Sequence, residues 1–260
     1  MTTDRRVTEK IEDLRARLAS ARNIVVLTGA GVSVASGLRP YRGPGGLWTD
    51  DPDLAGQATL AAFERDPMAA WRVVGTGRSM TRSAQPNAAH RALSAFEASQ
   101  PASTDFNLIT QNIDGLHQRA GSRNVIELHG ALRRTRCSAV DCDLEPYDDD
   151  TVPDDILPCP RCGSPLRPDI VLFEELIPAK PDWLSKRALR DCDFFMAVGT
   201  SGTVSPASNF VRGAKYAGAF TLYANLDPLP GPVDVFDETL LGRAEEILPE
   251  LLRVPLEPRV

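Results

Sequence analysis

The sequence lacks any apolar run long enough to cross a membrane, since no stretch approaches about 18 consecutive apolar residues. The first residues, MTTDRRVTEKIEDLRARL, also lack the apolar core of a secretory signal peptide. Positive charge is in deficit, because 29 Lys and Arg stand against 35 Asp and Glu, which gives a formal net charge of −6. This balance disfavours a protein built chiefly to hold the nucleic acid backbone. We therefore expect no membrane or nucleic-acid partner, and a cytoplasmic location.

Cysteines are few, and their distribution does not suit a disulfide framework. Of the five, Cys137, Cys142, Cys159 and Cys162 fall within one short stretch. The spacing C-x4-C, then sixteen residues, then C-x2-C fits tetrahedral thiolate ligation of zinc, and four thiolates close the coordination shell. We therefore predict one structural zinc ion; the alternative is four unrelated buried thiols. Cys192 stands apart and is predicted to be a packed core thiol rather than a nucleophile.

Short apolar runs alternate with segments of helical length along much of the chain. Apolar residues from Val7 to Leu18 recur at helical spacing and predict a first helix at about residues 5–21. Five runs predict buried strands: Asn23–Thr28, Phe106–Thr110, Val125–Leu128, Phe194–Thr200 and Ala219–Asn225. Strands that alternate with helices imply a parallel sheet covered on both faces. The predicted fold class is therefore α/β.

Two segments interrupt this alternation. Between Pro40 and Pro86 the pattern is mostly helical in spacing, which predicts a helical excursion from the sheet. From Ala131 to Arg167 an acidic tract and several prolines surround the cysteines, and this second excursion is too poor in apolar residues to bury a core unaided. The length of 260 residues fits one main core with such a smaller insertion.

Polar loops follow the predicted strands, and all are expected at one edge of the sheet. The loop TGAGVSVASG follows the first strand and has the strand-to-helix context of a phosphate loop, although it does not match G-x-G-x-x-G. TQNIDGLH, ELHG, GTSGTVSPAS and ANLD follow later strands. Each loop alone is more simply explained by turn chemistry. Together they favour a ligand site, because open α/β sheets bind ligands outside the carboxyl ends of their strands.

The ordered set of motifs resembles the sirtuin family of NAD-dependent protein-lysine deacylases, of bacterial type. The matches run from about residue 5 to about residue 250: GAGVSVASGLRPYRG, GLW, QPNAAH, TQNIDGLHQRAG, VIELHG, the cysteine quartet, RPDIVLFEE, VGTSGTVSPAS and NLD. The resemblance implies a Rossmann-like parallel sheet with helices on both faces, plus a smaller domain made of a helical insertion and a structural zinc-binding module. The implied boundaries are 1–38, 87–130 and 168–260 for the Rossmann-like domain, 39–86 for the helical insertion with a cofactor-binding loop, and 131–167 for the zinc-binding module.

The same resemblance implies an enzyme that consumes NAD. In that chemistry an acyl-lysine carbonyl oxygen attacks C1′ of the nicotinamide ribose, nicotinamide leaves, and the products are lysine and O-acyl-ADP-ribose. The expected partners are acyl-lysine proteins or peptides, with acetyl as the expected acyl group, and a monomer is expected. Two alternatives stay open: mono-ADP-ribosyl transfer, in which another nucleophile captures the activated ribose, and a non-catalytic zinc-bearing module that binds NAD or ADP-ribose.

Individual residues take roles from the resemblance. His129 matches the general base that deprotonates a ribose hydroxyl, while Asn112 and Asp114 match positions that hold the ribose-side water and the nicotinamide carboxamide. Tyr41 and Arg42 match a mobile loop that closes over NAD, with Arg42 directed at phosphate. Backbone N–H groups of Gly29, Ala30 and Gly31 are expected to receive the pyrophosphate. The other implied NAD-binding residues are Ser33, Gln111, Ile113, Gly199, Thr200, Ser201, Asn225 and Asp227. The peptide is expected as an added strand along Val171, Leu172, Phe173 and Glu174.

One departure from the family pattern lies in this substrate strand. Phe173-Glu174-Glu175 stands where the family usually has Phe-Gly-Glu. If the middle position needs a positive φ, a glutamate there is strained by roughly 1 kcal/mol or more. We therefore expect a shifted loop, and a preference for basic residues near the target lysine.

A second departure concerns the acyl group. Members that remove succinyl or malonyl groups carry Tyr-x-x-Arg on the helical excursion, and those positions fall on Val74 and Gly77 here. Neither residue can pair with a carboxylate, which predicts acetyl or longer apolar acyl groups as substrates. The alternative is a gap that moves Arg78 or Arg82 into place.

Overall fold

The described residues alternate between helices and strands in the predicted manner. The structure, a computed structural model, describes residues 2–43, 45–230 and 235–253. The strands are β1 (Asn23–Thr28), β2 (Asp105–Thr110), β3 (Val125–Glu127), β4 (Gly130–Cys137), β5 (Tyr147–Asp148), β6 (Leu166–Ile170), β7 (Phe194–Val198), β8 (Phe220–Asn225) and β9 (Glu238–Leu241). The α-helices are α1 (Thr2–Ser20), α2 (Leu47–Asp50), α3 (Pro52–Gln57), α4 (Leu60–Arg65), α5 (Met68–Ser83), α6 (Ala88–Ser99), α7 (Leu116–Arg119), α8 (Ala179–Arg190), α9 (Phe210–Tyr216) and α10 (Ala244–Leu251).

A six-stranded sheet in the order β3-β2-β1-β7-β8-β9 forms the main core, and every pairing in it is parallel. Successive side chains of β1 point to opposite faces. Ile24 and Val26 pack in a cluster with α1, α6 and α10, whereas Val25 and Leu27 pack in a cluster with α8 and α9. Both faces are therefore covered by helices, which confirms the predicted Rossmann-like class.

A second, antiparallel sheet in the order β5-β4-β6 carries the cysteines. Its apolar contribution is small, and it shares a cluster with the helical segment, in which Phe63 and Val74 pack against Leu132 and Ile170. Trp71 of α5 also donates its indole N–H to the carbonyl of Leu166 at 3.3 Å. The two excursions therefore bury their apolar side chains against each other.

Several strands were not expected from the sequence, namely β4, β5, β6 and β9. The expected helical content between Pro40 and Pro86 is confirmed as α2 to α5. The predicted strand ends at Thr200 and Ala219 are each off by one or two residues, since β7 ends at Val198 and β8 begins at Phe220. None of the described helices combines the length and the apolar character that crossing a membrane requires.

Candidate active site

The loops after β1 and β7 meet at the point where the strand order of the sheet reverses, the place where open α/β sheets bind ligands. The N–H of Gly29 donates to the carbonyl of Val198 at 3.0 Å, and that of Gly31 donates to the carbonyl of Gly199 at 2.9 Å. A Cβ atom at either glycine would lie within 2.8 Å of the Gly199 carbonyl oxygen, so only glycine allows this approach. Two of the three N–H groups expected to bind pyrophosphate therefore donate within the protein in this structure; Ala30 is the third.

Asn112, Ser33 and Asp114 form a hydrogen-bonded group beside this loop. The Asn112 side-chain amide donates to the carbonyl of Gly29 at 3.0 Å and to the Ser33 hydroxyl at 3.2 Å, and that hydroxyl donates to Asp114 at 2.7 Å. The other Asp114 oxygen accepts from the N–H of Leu116 at 2.9 Å. Burial raises the pKa of Asp114, against the lowering effect of these hydrogen bonds. The group presents buried, directional polar atoms to the site.

Two histidines extend this group into the core. The rings of His90 and His117 lie 4.8 Å apart between centroids. His90 Nε2 is 3.5 Å from the Ser33 hydroxyl, and His117 Nε2 is 2.9 Å from the Thr28 hydroxyl. Burial lowers the pKa of His90 to about 4 and that of His117 to about 3, so both rings are neutral near pH 7. They contact Ser33 and Thr28 at the end of β1, and no spacing in the sequence predicts that the two rings pair.

His129 lies between β3 and β4, at the same edge of the sheet. Its Nδ1 is 3.0 Å from the carbonyl oxygen of Gln111. Because a carbonyl only accepts, Nδ1 must carry the proton, which leaves Nε2 as a free base. Burial lowers the pKa of His129, and the hydrogen bond to Gln111 opposes that shift. The ring is therefore neutral at pH 7, in the tautomer that a general base at Nε2 requires.

The expected substrate strand begins beside His129. The N–H of Val171 donates to the His129 carbonyl at 3.0 Å. Phe173 pairs with the helical segment through two hydrogen bonds, to the carbonyl of Ala58 at 2.9 Å and from the N–H of Leu60 at 3.0 Å. Leu172 is buried in the small core with Val74, so its side chain contributes packing rather than a substrate contact. The backbone groups of Leu172 point to the opposite side, where its N–H donates to the Glu175 side chain at 2.9 Å and its carbonyl accepts from the Glu175 N–H at 3.1 Å.

Glu174 adopts φ +69°, and it is the one non-glycine residue with positive φ in the described ranges. The expected shifted loop is therefore wrong: the chain keeps the left-handed conformation despite the side chain. The reason lies in Glu175, whose two oxygens accept from Arg167 at 2.9 and 3.0 Å. The same carboxylate accepts from Arg136 at 2.6 Å and from the N–H of Leu172 at 2.9 Å. We call Glu175 with Arg167 and Arg136 the Glu175 clamp.

The predicted cofactor-binding loop lies over Phe173. Tyr41 stacks on Trp48 with ring centroids 5.3 Å apart, and Trp48 meets Phe173 edge-on at 5.9 Å. The Arg42 guanidinium lies 5.7 Å from the Phe173 ring centroid, so it faces the substrate strand and not the glycine loop. The expected direction of Arg42 toward phosphate is thus not the one that this structure has. Burial, followed by the charge of Asp114, raises the pKa of Tyr41 and keeps the phenol protonated.

A small cavity joins this loop to helix α5. It is lined by Tyr41, Asn112 and Asp114 on one side and by Gly77 and Leu132 on the other.

None of the three basic residues of α5, Arg72, Arg78 and Arg82, lines this cavity. Arg78 is 3% exposed and donates to the carbonyls of Leu132 at 2.7 Å and Arg134 at 3.0 Å. Arg82 donates to the carbonyl of Asp150 at 3.3 Å. Neither Arg78 nor Arg82 is therefore placed to bind an acyl carboxylate in this cavity.

The loops after β7 and β8 form the other half of the candidate site. Gln111 donates to the Thr200 hydroxyl at 2.9 Å, and Asn225 donates to the Thr200 carbonyl at 3.1 Å. Ser201 and Asp227 lie exposed at the same edge and make no side-chain contact with this set among the described residues. Thr200 thus connects the His129 side of the edge to the Asn225 side.

The four clustered cysteines converge as predicted. Their Sγ atoms all lie within 4.8 Å of one another, with Cys137 and Cys162 3.5 Å apart and Cys142 and Cys159 3.6 Å apart. Thiolates about 2.3 Å from a common zinc ion would have this spacing, so the donor set fits one tetrahedral Zn²⁺. Cys192 is buried and apart from them, as expected of a core thiol.

The fold and this edge of the sheet also match known proteins. The model of the Sir2 family matches residues 29–206. The chain belongs to the Sir2 family. It is 42% identical over 237 residues to NAD-dependent protein deacylase 2 of Pyrobaculum aerophilum, covering 90% of this chain and 92% of the relative. It is 40% identical over 250 residues to NAD-dependent protein deacylase 1 of Pseudomonas aeruginosa, covering 91% of this chain and 95% of the relative.

Solved Sir2 structures share the architecture. A Sir2 homologue in complex with NAD superposes with a TM-score of 0.82 at 37% identity, covering 93% of this chain and 92% of that one. A Sir2 protein bound to a myristoylated histone peptide superposes with a TM-score of 0.70 at 33% identity, covering 94% and 95%. The predicted family and fold are thereby confirmed.

This Sir2 chain brings most of its predicted site residues to one edge of the sheet. Gly29, Ser33, Asn112 and Asp114 are directly connected, and Gln111 joins His129 to Thr200. The residues that sequence reasoning missed are polar side chains whose partners are distant along the chain, namely His90, His117, Arg136, Arg167 and Glu175. Their pairing could not be found from spacing alone.

Proposed function

We propose that this chain is an NAD-dependent protein-lysine deacylase that releases nicotinamide and an O-acyl-ADP-ribose. The observation that carries the proposal is the tautomer of His129, whose Nδ1–H is used by the Gln111 carbonyl at 3.0 Å while Nε2 stays free at the strand that adjoins the peptide edge. A nucleotide sensor would need no such base. The Sir2 membership and the deacylase names of its relatives support the same activity.

The residues at the sheet edge suit NAD. When bound, NAD supplies an activated ribose carbon and nicotinamide as the leaving group. We propose that Gly29, Ala30, Gly31, Ser33, Gln111, Ile113, Gly199, Thr200, Ser201, Asn225 and Asp227 bind it, with the glycines allowing close approach. Asn112 and Asp114 would orient the nicotinamide end, because both line the cavity and Asn112 is buried there. Tyr41 would cover the reacting sugar and exclude water, and Arg42 would have to leave Phe173 to reach a phosphate.

His129 would act as the general base. Its neutral Nε2 would accept a proton from a ribose hydroxyl, and the Gln111 carbonyl would stabilise the imidazolium that forms at Nδ1–H. Burial lowers the pKa of His129 and favours the neutral form before the step. The zinc ion held by the four cysteines would be structural, because four thiolates leave no ligand position for water or substrate.

The substrate would be an acyl-lysine peptide added as a strand along residues 171–174. Val171 and Phe173 would contact the lysine stem. The cavity beside α5 offers Gly77 and Leu132 to the acyl group, and the one arginine among its described lining residues, Arg39, already pairs with Asp50. We therefore propose acetyl or longer apolar acyl groups over succinyl or malonyl.

We further propose that residues 39–86 and 131–167 work together as the smaller domain, and that the protein acts as a monomer in the cytoplasm. The shared cluster of Phe63, Val74, Leu132 and Ile170 supports the first part. Light scattering on a size-exclusion column tests the oligomeric state.

Mass spectrometry of reactions that contain NAD and matched acetyl, succinyl and myristoyl peptides tests the activity. We expect peptide-dependent nicotinamide release and an O-acyl-ADP-ribose in the wild type, and loss of both products in His129→Ala. Transfer of ADP-ribose to protein without any acyl peptide would instead indicate mono-ADP-ribosyl transfer. Faster release of succinyl than of acetyl would refute the proposed acyl preference.

A further inference from the structure

Glu174 presents an exposed carboxylate from a fixed backbone. Its φ of +69° forms a turn directly after Phe173, and the N–H of Glu175 closes this turn by donating to the carbonyl of Leu172 at 3.1 Å. A side chain in such a sparsely populated conformation persists only where the surroundings over-determine it, and such positions cluster at functional sites. The Glu175 clamp provides that restraint through four hydrogen bonds to the next residue.

The charge of Glu174 is not neutralised by the arginines beneath it. Arg136 and Arg167 both pair with Glu175, at 2.6 and 2.9 Å. Within the described residues Glu174 itself has no ion-pair partner and is exposed. The carboxylate of Glu175 is therefore paired with arginines of the protein, whereas that of Glu174 is available to a positively charged side chain of a bound peptide.

Glu174 also lies at a useful distance from the chemistry. Val171 donates to the His129 carbonyl, and Glu174 comes three positions later in the chain, so its Cα lies at most about 10 Å from that of Val171. A peptide whose acyl-lysine reaches His129 would therefore place its neighbouring side chains beside the Glu174 carboxylate. The Glu174 carboxylate would therefore place a negative charge next to the bound peptide.

We propose that Glu174 is a specificity-determining residue that selects acyl-lysine peptides with Lys or Arg within two residues of the acyl-lysine. The inference rests on the proposed function for the location of the peptide, and it adds the class of peptide. An exposed pair of opposite charges favours association modestly, and a pair of like charges disfavours it by a similar amount. The preference is screened by salt.

Three acetyl-lysine peptides that differ only in the flanking residues, Lys, Gln or Glu, test the proposal. We expect the wild type to have a kcat/KM about threefold higher for the Lys peptide than for the Gln peptide, and about tenfold higher for the Lys than for the Glu peptide. Glu174→Gln should lower the Lys-to-Glu ratio to about two or less. Glu174→Gly should do the same and relax the backbone at that position. Raising NaCl from about 50 to about 500 mM should compress the wild-type ratio.

The matched control is Glu145→Gln, which removes an exposed carboxylate of the cysteine segment and should keep the wild-type ratio. A ratio that is near one in the wild type, or that is unchanged in Glu174→Gln, overturns the inference. The dissociation constants of the same peptides, labelled with fluorescein and measured by anisotropy, keep the test independent of turnover. If no peptide is deacylated, the proposed function fails, while the ratio of dissociation constants still decides the role of Glu174.

Discussion

Replacing Glu175 with glutamine removes the charge that holds the substrate strand in place. In the native protein the Glu175 side chain is 17% exposed and that of Arg167 is 3% exposed, so both charges are largely withdrawn from water. Breaking a buried ion pair by neutralising one partner costs about 3–5 kcal/mol. Because glutamine keeps one oxygen acceptor, we expect the lower end, about 3 kcal/mol in the free energy of unfolding. For a protein of this size that corresponds to a fall of about 6–12 °C in Tm.

The pH dependence of the same variant gives an independent check. Burial acts to raise the pKa of Glu175, but the charge and hydrogen bonds of Arg167 outweigh it and hold the pKa below its ordinary value. A carboxyl whose folded pKa is depressed stabilises the protein above its unfolded pKa of about 4.3, and this contribution is lost as pH falls through the folded pKa. The stability difference between wild type and Glu175→Gln should therefore be constant from pH 6 to 8 and shrink below about pH 4.3.

Calorimetry and urea unfolding at several pH values measure both effects. The control is Asp191→Asn, which removes a pair with Arg190 whose side chains are 60% and 71% exposed and should cost little. A Glu175→Gln protein within about 0.5 kcal/mol of the wild type at pH 7 would refute the clamp as the restraint on this strand. A difference that stays constant down to pH 3 would refute the assigned charge interaction.

Three further predictions concern the base, the acyl cavity and the zinc site. Because burial lowers the pKa of His129, the acid limb of the pH profile of kcat/KM should have its midpoint below 6.5, and a midpoint above that value would contradict the assignment. Gly77→Arg should raise the succinyl-to-acetyl ratio of kcat/KM at least about tenfold, because it places a guanidinium at the cavity where it can pair with the succinyl carboxylate. The substitution is sterically tolerable, since a Cβ at Gly77 would meet only the flexible Leu132 side chain at 3.3 Å. The control is Gly75→Arg, which faces Val152 instead and should leave the ratio unchanged. Cys159→Ser should lose the bound zinc in elemental analysis, whereas Cys192→Ser should retain it.

The parallel sheet could be predicted because its strands are buried on both faces. A run such as NIVVLT can be recognised as a buried strand without knowing what it packs against, since most of its side chains are apolar. The strand β4 has the sequence GALRRTRC, with three arginines, and no apolar pattern identifies it. It is stabilised by ion pairs instead: Arg134 pairs with Glu127 at 2.8 Å and with Asp169 at 2.8 Å. The pair with Asp169 joins residues 35 positions apart, so the strand is visible only in three dimensions.

The candidate site was predictable to the extent that it follows strand ends. Asn112 and His129 come two residues after β2 and β3, Asn225 is the last residue of β8, and parallel strands bring their carboxyl ends to one edge. The roles of Gly29 and Gly31 were less predictable, because their N–H groups donate to the end of β7 and the loop after it, about 170 residues further along the chain. The motif predicts glycine at these positions for the sake of a ligand, whereas the close approach of a second backbone segment also requires it.

The outcome at Glu174 shows how magnitudes decide between local and tertiary preferences. A glutamate at positive φ is disfavoured by about 1–3 kcal/mol, and considered alone this cost predicts that the loop moves. The Glu175 clamp opposes it with four hydrogen bonds, three of them from arginines whose alternative is an unpaired, largely buried charge. Moving the loop would break those contacts, at a cost of about 3–5 kcal/mol. Since the cost of moving exceeds the strain, the left-handed conformation persists, and the Glu174 side chain stays exposed with no ion-pair partner among the described residues.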